Sequence, residues 1–236
     1  MAWKKYYKKS AKYGSNSKKR AIGNSKAAAN QRDALTVCIK YAEEVTFSND
    51  TGANSDSITM TRNMYAVLKD SPMYAAFQGM YDQIKLESAK VKAKQTWSNS
   101  TYQNPNSPLK LVTAWDRTGL STIDGNIVVP NYEKVCQSSS AFTGEAYYGT
   151  VWKSTRKIYP ALIEEKGQYV STANLASTST TSTNPTTSME TGIYKFKPTY
   201  LLSVKPQTQI NNGESVCKIQ LDYEIIVTFR GLRKIN

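Results

Sequence analysis

From Asp33 onward, apolar and polar residues alternate with a period of two. Leu35, Val37, Ile39, Tyr41, Val45 and Phe47 occupy odd positions, with Thr36, Cys38, Lys40, Glu44 and Thr46 between them. This is the pattern of a strand with one buried face. The C-terminal stretch repeats it more cleanly: Cys217, Ile219, Leu221, Tyr223, Ile225, Val227 and Phe229 alternate with Lys218, Gln220, Asp222, Glu224, Ile226, Thr228 and Arg230, which predicts one long strand. Further strands are expected at about 81–97, 109–116, 147–159 and 193–204, the last running through Tyr194, Phe196, Tyr200, Leu202 and Val204. Within 81–97 the apolar parity changes from Ile84 and Leu86 to Ala89, Val91 and Ala93, so a bulge is predicted at Glu87 to Ser88.

Residues 61–80 break the alternation. Met64, Tyr65 and Leu68, then Tyr74, Phe77 and Met80, recur at helical spacing around Ser71-Pro72, and proline suits a first helical turn. Two short helices are expected. The segment 171–191 holds 13 Ser or Thr in 21 positions, too polar for a core strand, so it reads as an exposed loop. Many strands with long, unequal connections predict an all-β fold of two packed antiparallel sheets, a sandwich or a jelly roll.

Charge adds a second region. The chain has 236 residues and a net charge of +13, from 31 Lys plus Arg against 18 Asp plus Glu. Residues 1–32 contain Lys4, Lys5, Lys8, Lys9, Lys12, Lys18, Lys19, Arg20, Lys26 and Arg32, and the first acid is Asp33. Like-charged, poor in aliphatic residues and rich in Ser, Asn and Gly, this segment cannot bury enough area to offset its ordering entropy. It is expected to be a disordered basic arm on a body spanning 33–236. Trp3, Tyr6, Tyr7 and Tyr13 interleave with the lysines; aromatic faces stack on bases while Lys neutralises phosphate, so single-stranded nucleic acid is the expected partner. Lys4-Lys5 and Lys18-Lys19-Arg20 also match a nuclear-import signal, which adds host import factors as expected partners.

Other chemistry is hard to assemble. The chain has no histidine, which removes Ser-His-Asp and Cys-His pairs and His-containing zinc sites. Cys38, Cys136 and Cys217 are far apart and form no CxxC, so neither a metal cluster nor a disulfide framework is expected. Asp56, Asp82, Asp116, Asp124, Glu164 and Glu165 are scattered, and the glycines form no phosphate-binding loop. Catalytic residues, metal ligands and cofactors are all expected to be none. No apolar run of membrane-spanning length occurs, so no membrane insertion is expected. Asn49-Asp50-Thr51 and Asn99-Ser100-Thr101 match the glycosylation sequon, read here as chance matches.

Four local motifs carry a resemblance. Tyr81-Asp82-Gln83-Ile84-Lys85 enters a strand after short helices, and Leu111-Val112-Thr113-Ala114-Trp115-Asp116-Arg117 ends another. Glu165-Lys166-Gly167-Gln168-Tyr169-Val170-Ser171 precedes the Ser/Thr segment, and Val227-Thr228-Phe229-Arg230-Gly231 lies at the C-terminus. In this order, behind a basic arm, they resemble the capsid proteins of circular single-stranded DNA viruses, the circovirus-like group. The resemblance implies a single eight-stranded antiparallel jelly roll that self-assembles in sixty copies into a T=1 icosahedral shell. It also implies an arm turned inward on a circular DNA genome, location in the virion, passage through the host nucleus during assembly, and no enzymatic role. The arms of that group are commonly Arg-dominated, whereas this one has eight Lys and two Arg. Lys meets phosphate as a point charge, so looser, sequence-indifferent contacts are expected. The alternative is a non-capsid single-strand nucleic-acid-binding or transport protein that uses the same arm and sheet.

Overall fold

The computed structural model describes residues 34–116, 122–123, 126–127, 129–159, 169–172 and 198–232. The strands are β1 (Ala34–Ser48), β2 (Ile58–Asn63), β3 (Tyr81–Ser98), β4 (Leu109–Asp116), β5 (Thr122–Ile123), β6 (Asn126–Ile127), β7 (Phe142–Ala146), β8 (Lys153–Ile158), β9 (Val170–Ser171), β10 (Thr199–Lys205) and β11 (Ser215–Leu232). The helices are α1 (Met64–Asp70), α2 (Pro72–Gln78) and α3 (Tyr132–Cys136). One sheet runs β1-β11-β3-β8, with β9 added on β3, and the other runs β2-β10-β4-β7.

All pairings within both sheets are antiparallel. The early strands pair with the late ones in reverse order: β1 with β11, β2 with β10, β3 with β8, and β4 with β7. Successive pairs fall in alternate sheets. That nesting is the eight-stranded jelly roll.

The two inner faces form one apolar core. Ile39 and Phe47, Ile84, Leu86 and Val91, and Ile219, Leu221, Ile225, Val227 and Phe229 come from one sheet; Leu109, Leu111, Tyr200, Leu202 and Val204 come from the other. The predicted bulge is present: Ile226 faces Ser88 while Val227 faces Leu86, so Glu87 is the extra residue. The helices form as expected around Ser71-Pro72. Asn63 caps α1 by accepting from the Tyr65 amide at 2.9 Å, and Pro72 opens α2. Together they carry the chain from one sheet to the other and close one end of the core, where Phe77 and Tyr81 pack on Phe229 at centroid distances of 5.0 and 5.5 Å.

Several expectations are corrected. The strand expected at 147–159 is only Lys153–Ile158; Tyr147 and Tyr148 lie exposed in a turn that passes through Gly149 at φ 76°. Leu35, expected to be buried, is 38% exposed at the start of β1. A third helix, α3, is too short to leave a periodic signal. Ser171 and Thr172, assigned to the Ser/Thr loop, belong to the body: Thr172 is buried, its hydroxyl donating to the Tyr81 carbonyl at 2.7 Å. The rest of that segment lies outside the described residues.

Candidate nucleic-acid interface

The arm residues singled out from the sequence, Trp3 through Arg32, lie outside the described residues, as do Asp124, Glu164 and Glu165. The described chain begins at Ala34, opposite Arg230 on β11.

The body contains a basic surface that the sequence reading missed. On β3 the outward positions are Lys90, Lys92 and Lys94. The register sets Lys157 of β8 directly opposite Lys90, Thr155 opposite Lys92, and Lys153 opposite Lys94. Opposed residues on one face of an antiparallel pair have Cβ atoms about 5 Å apart, and like charges there repel. Five lysines therefore share two adjacent strands.

Glu224 of β11 offsets part of this charge, accepting from Lys90 Nζ at 2.9 Å and from Lys92 Nζ at 2.5 Å. The hydrogen bonds from Lys92 and Lys90 hold the Glu224 carboxyl down to about 2, and the same contact raises Lys92. Two further acids lie nearby: Asp222 faces Lys92 across the strands and accepts from Gln220 at 2.9 Å, and Glu44 of β1 accepts from the Thr96 hydroxyl at 3.0 Å and pairs with Lys218 at 3.6 Å. Among the described residues no carboxylate pairs with Lys94, Lys153 or Lys157.

Aromatic rings stand at both ends of this row. Trp97 faces Lys218 across β3 and β11 and is 45% exposed; Tyr159, just past β8, is 46% exposed with Lys157 Nζ 4.4 Å from its ring centre. The signal that could have found the row was the alternating Lys90-Val91-Lys92-Ala93-Lys94. The facing lysines of β8 needed the register.

Other polar groups among the described residues hold the fold together. Glu43 accepts from Arg62 Nε at 2.8 Å and from the Tyr223 hydroxyl at 2.6 Å, tying β2 of one sheet to β1 and β11 of the other. Burial pushes the Cys217 thiol up to about 12, which keeps it protonated and unreactive. Asn49 is no glycan acceptor: it is buried, and its amide nitrogen donates to the Ala53 and Ile210 carbonyls at 2.8 and 2.9 Å. Asp56 and Glu133 line an open polar depression of about 340 Å³, where Glu133 is ion-paired with Lys205. Among the described residues no three potential ligands gather to hold a metal ion, and no helix is long and apolar enough to cross a membrane.

No family model and no curated protein matches the chain. Solved structures do. The chain is similar to the structure of Desmodium yellow mottle tymovirus, at 12% identity and a TM-score of 0.43 over 86% of this chain and 91% of that one. It is also similar to the decameric BFDV capsid protein, at 10% identity and a TM-score of 0.45 over 84% and 99%. The structure of Cocksfoot mottle virus is a third, at 9% identity and a TM-score of 0.47 over 85% and 97%.

Proposed function

We propose that this chain is a viral coat protein that self-assembles into a small icosahedral shell and packages single-stranded DNA through residues 1–32. The observation that carries the reading is the joining of an acid-free segment of ten cations to a complete jelly roll. The motif positions support it. Tyr81–Lys85 enters β3 directly after two short helices, Leu111–Asp116 closes β4, and Val227–Gly231 lies at the end of β11.

The surface also suits subunit contacts. Phe142, Tyr147, Tyr148 and Val151 are exposed on the edge strand β7 and on the turn that follows it, and aromatic residues are enriched at the centres of protein interfaces. The virion is then the site of action, with transit through the host nucleus by way of Lys18-Lys19-Arg20.

Electron microscopy of the purified full-length chain tests the shell. Uniform spheres are expected, and a chain that stays monomeric at every salt and pH tried rules the shell out. Replacing Lys4, Lys5, Lys8, Lys9, Lys18, Lys19 and Arg20 with Gln tests the arm. At about 0.7 per phosphate contact, the slope of log affinity against log salt should shrink by up to about 5, equally for unrelated strands. An unchanged slope would move nucleic-acid binding off the arm.

A further inference from the structure

The geometry points to a second nucleic-acid site on the body itself: the outward face of β3 and β8, which binds the sugar-phosphate backbone of a single strand. This site is independent of whether the chain builds a shell.

The case begins with an unfavourable arrangement. Lys90 faces Lys157 and Lys94 faces Lys153, on either side of the Lys92–Thr155 pair, so two like-charged cross-strand pairs share one face, an arrangement that is repulsive in the free protein. Glu224 satisfies only Lys90 and Lys92. The remaining charge calls for an external anion. Same-face residues along a strand are about 6.7 Å apart, close to the phosphate spacing of an extended single strand, so Lys90, Lys92 and Lys94 can follow consecutive phosphates while Lys153 and Lys157 approach from the adjacent strand.

The aromatic rings make the choice of anion specific. Trp97 lies beyond Lys94 at one end of the row, and Tyr159 lies beyond Lys157, past the Ile158–Ala89 pair, at the other. A lysine track flanked by exposed rings is the combination that holds unpaired bases and their phosphates together. A featureless polyanion has no use for the rings, and a duplex keeps its bases stacked out of their reach.

The experiment uses the full-length chain carrying the seven arm substitutions, so that arm binding does not hide the body. Anisotropy of a labelled oligo(dT) is measured against salt. Residual, salt-dependent binding is expected. Adding Lys94→Gln, Lys153→Gln and Lys157→Gln should lower the salt slope by about 2, three contacts at about 0.7 each; Lys→Arg at the same positions should restore it. Trp97→Ala should weaken oligo(dT) about fivefold or more and leave inorganic polyphosphate binding unchanged. An unchanged slope in the triple variant, with the urea midpoint also unchanged, overturns the site. A fallen slope with no effect of Trp97→Ala overturns its assignment to single strands and leaves a general polyanion surface. Particle images of the same variants report on the shell separately, since loss of binding with intact spheres and loss of spheres with intact binding are different results.

Discussion

Both sheets send their inner faces into the one core, but they differ on their backs. Behind β2-β10-β4-β7, the outward Val112, Ala114 and Leu201 are buried beneath Val135 of α3, with Tyr132, Cys136 and Ala141 packed around them. The Tyr132 hydroxyl is pushed up to about 12, chiefly by that burial. Behind β1-β11-β3-β8 the outward positions carry Lys40, Lys92, Lys94, Lys153 and Lys157, and they remain exposed. Strands with the same alternating burial of their inner face thus acquire opposite surfaces, according to whether a connection crosses them. The covered sheet can spend its outer face on stability, while the open sheet leaves its own free for a ligand.

The sharpest way to break this contrast is to place the same charge behind each sheet. Leu201→Lys puts an unpaired ammonium under α3 and should cost about 3–5 kcal/mol. Ile226→Lys, outward and half-buried on β11, should stay within about 0.5 kcal/mol. Urea unfolding of the two variants measures the difference, and equal losses would mean that the backs are not distinct.

A smaller effect is expected at the edge of the covered sheet. A Cβ on Gly144 of β7 would lie 2.8 Å from the Trp152 indole nitrogen, so Gly144→Ala should cost about 1–3 kcal/mol through overpacking. A neutral result in the same unfolding measurement would mean that Trp152 moves freely.

The inner faces should respond alike to alkali. Burial raises the hydroxyls of Tyr200, on the covered sheet, and Tyr223, on the open one, above the ordinary value of 10.0. Below pH 10 both folded and unfolded chains hold these protons and stability is complete. Above it the unfolded chain releases them first, so stability falls as pH rises. Tyr200→Phe and Tyr223→Phe should each flatten that decline in unfolding midpoints taken from pH 8 to 11, and an unaltered decline would place its origin elsewhere.

The smallest expected change in stability is on the open face. Glu224→Gln should leave the urea midpoint where it is, because exposed ion pairs contribute little, yet it frees Lys90 and Lys92. Single-strand affinity should rise and its salt dependence steepen; weaker binding would contradict the role given to that face.

Much of this was readable from residue order. β4 has the expected bounds, β3 runs one residue past the expected end, and β11 extends the expected Cys217 to Arg230 by two residues at each end. The Glu87 bulge followed from the change of parity on β3, because side chains must return to the core face after an inserted residue. β2 and β7 were missed: six and five residues, one containing Gly144, give too few repeats to stand out. At 147–159 the exposed Tyr147 and Tyr148 sit outside the core, and the inward residues are Trp152 and, within β8, Ser154 and Ile158.

Local order determined the longer strands, the two helices around Ser71-Pro72 and the ten cations ahead of Asp33, because alternation, proline geometry and charge density act between near neighbours. The tertiary structure alone decided that β1 lies against β11, that α3 covers Leu201, and that Lys153 and Lys157 of β8 stand opposite Lys94 and Lys90. Those outcomes depend on register between strands some sixty residues apart or more, and on which connection crosses which sheet. A period of two says which residues share a face; it carries no information about what will lie against that face.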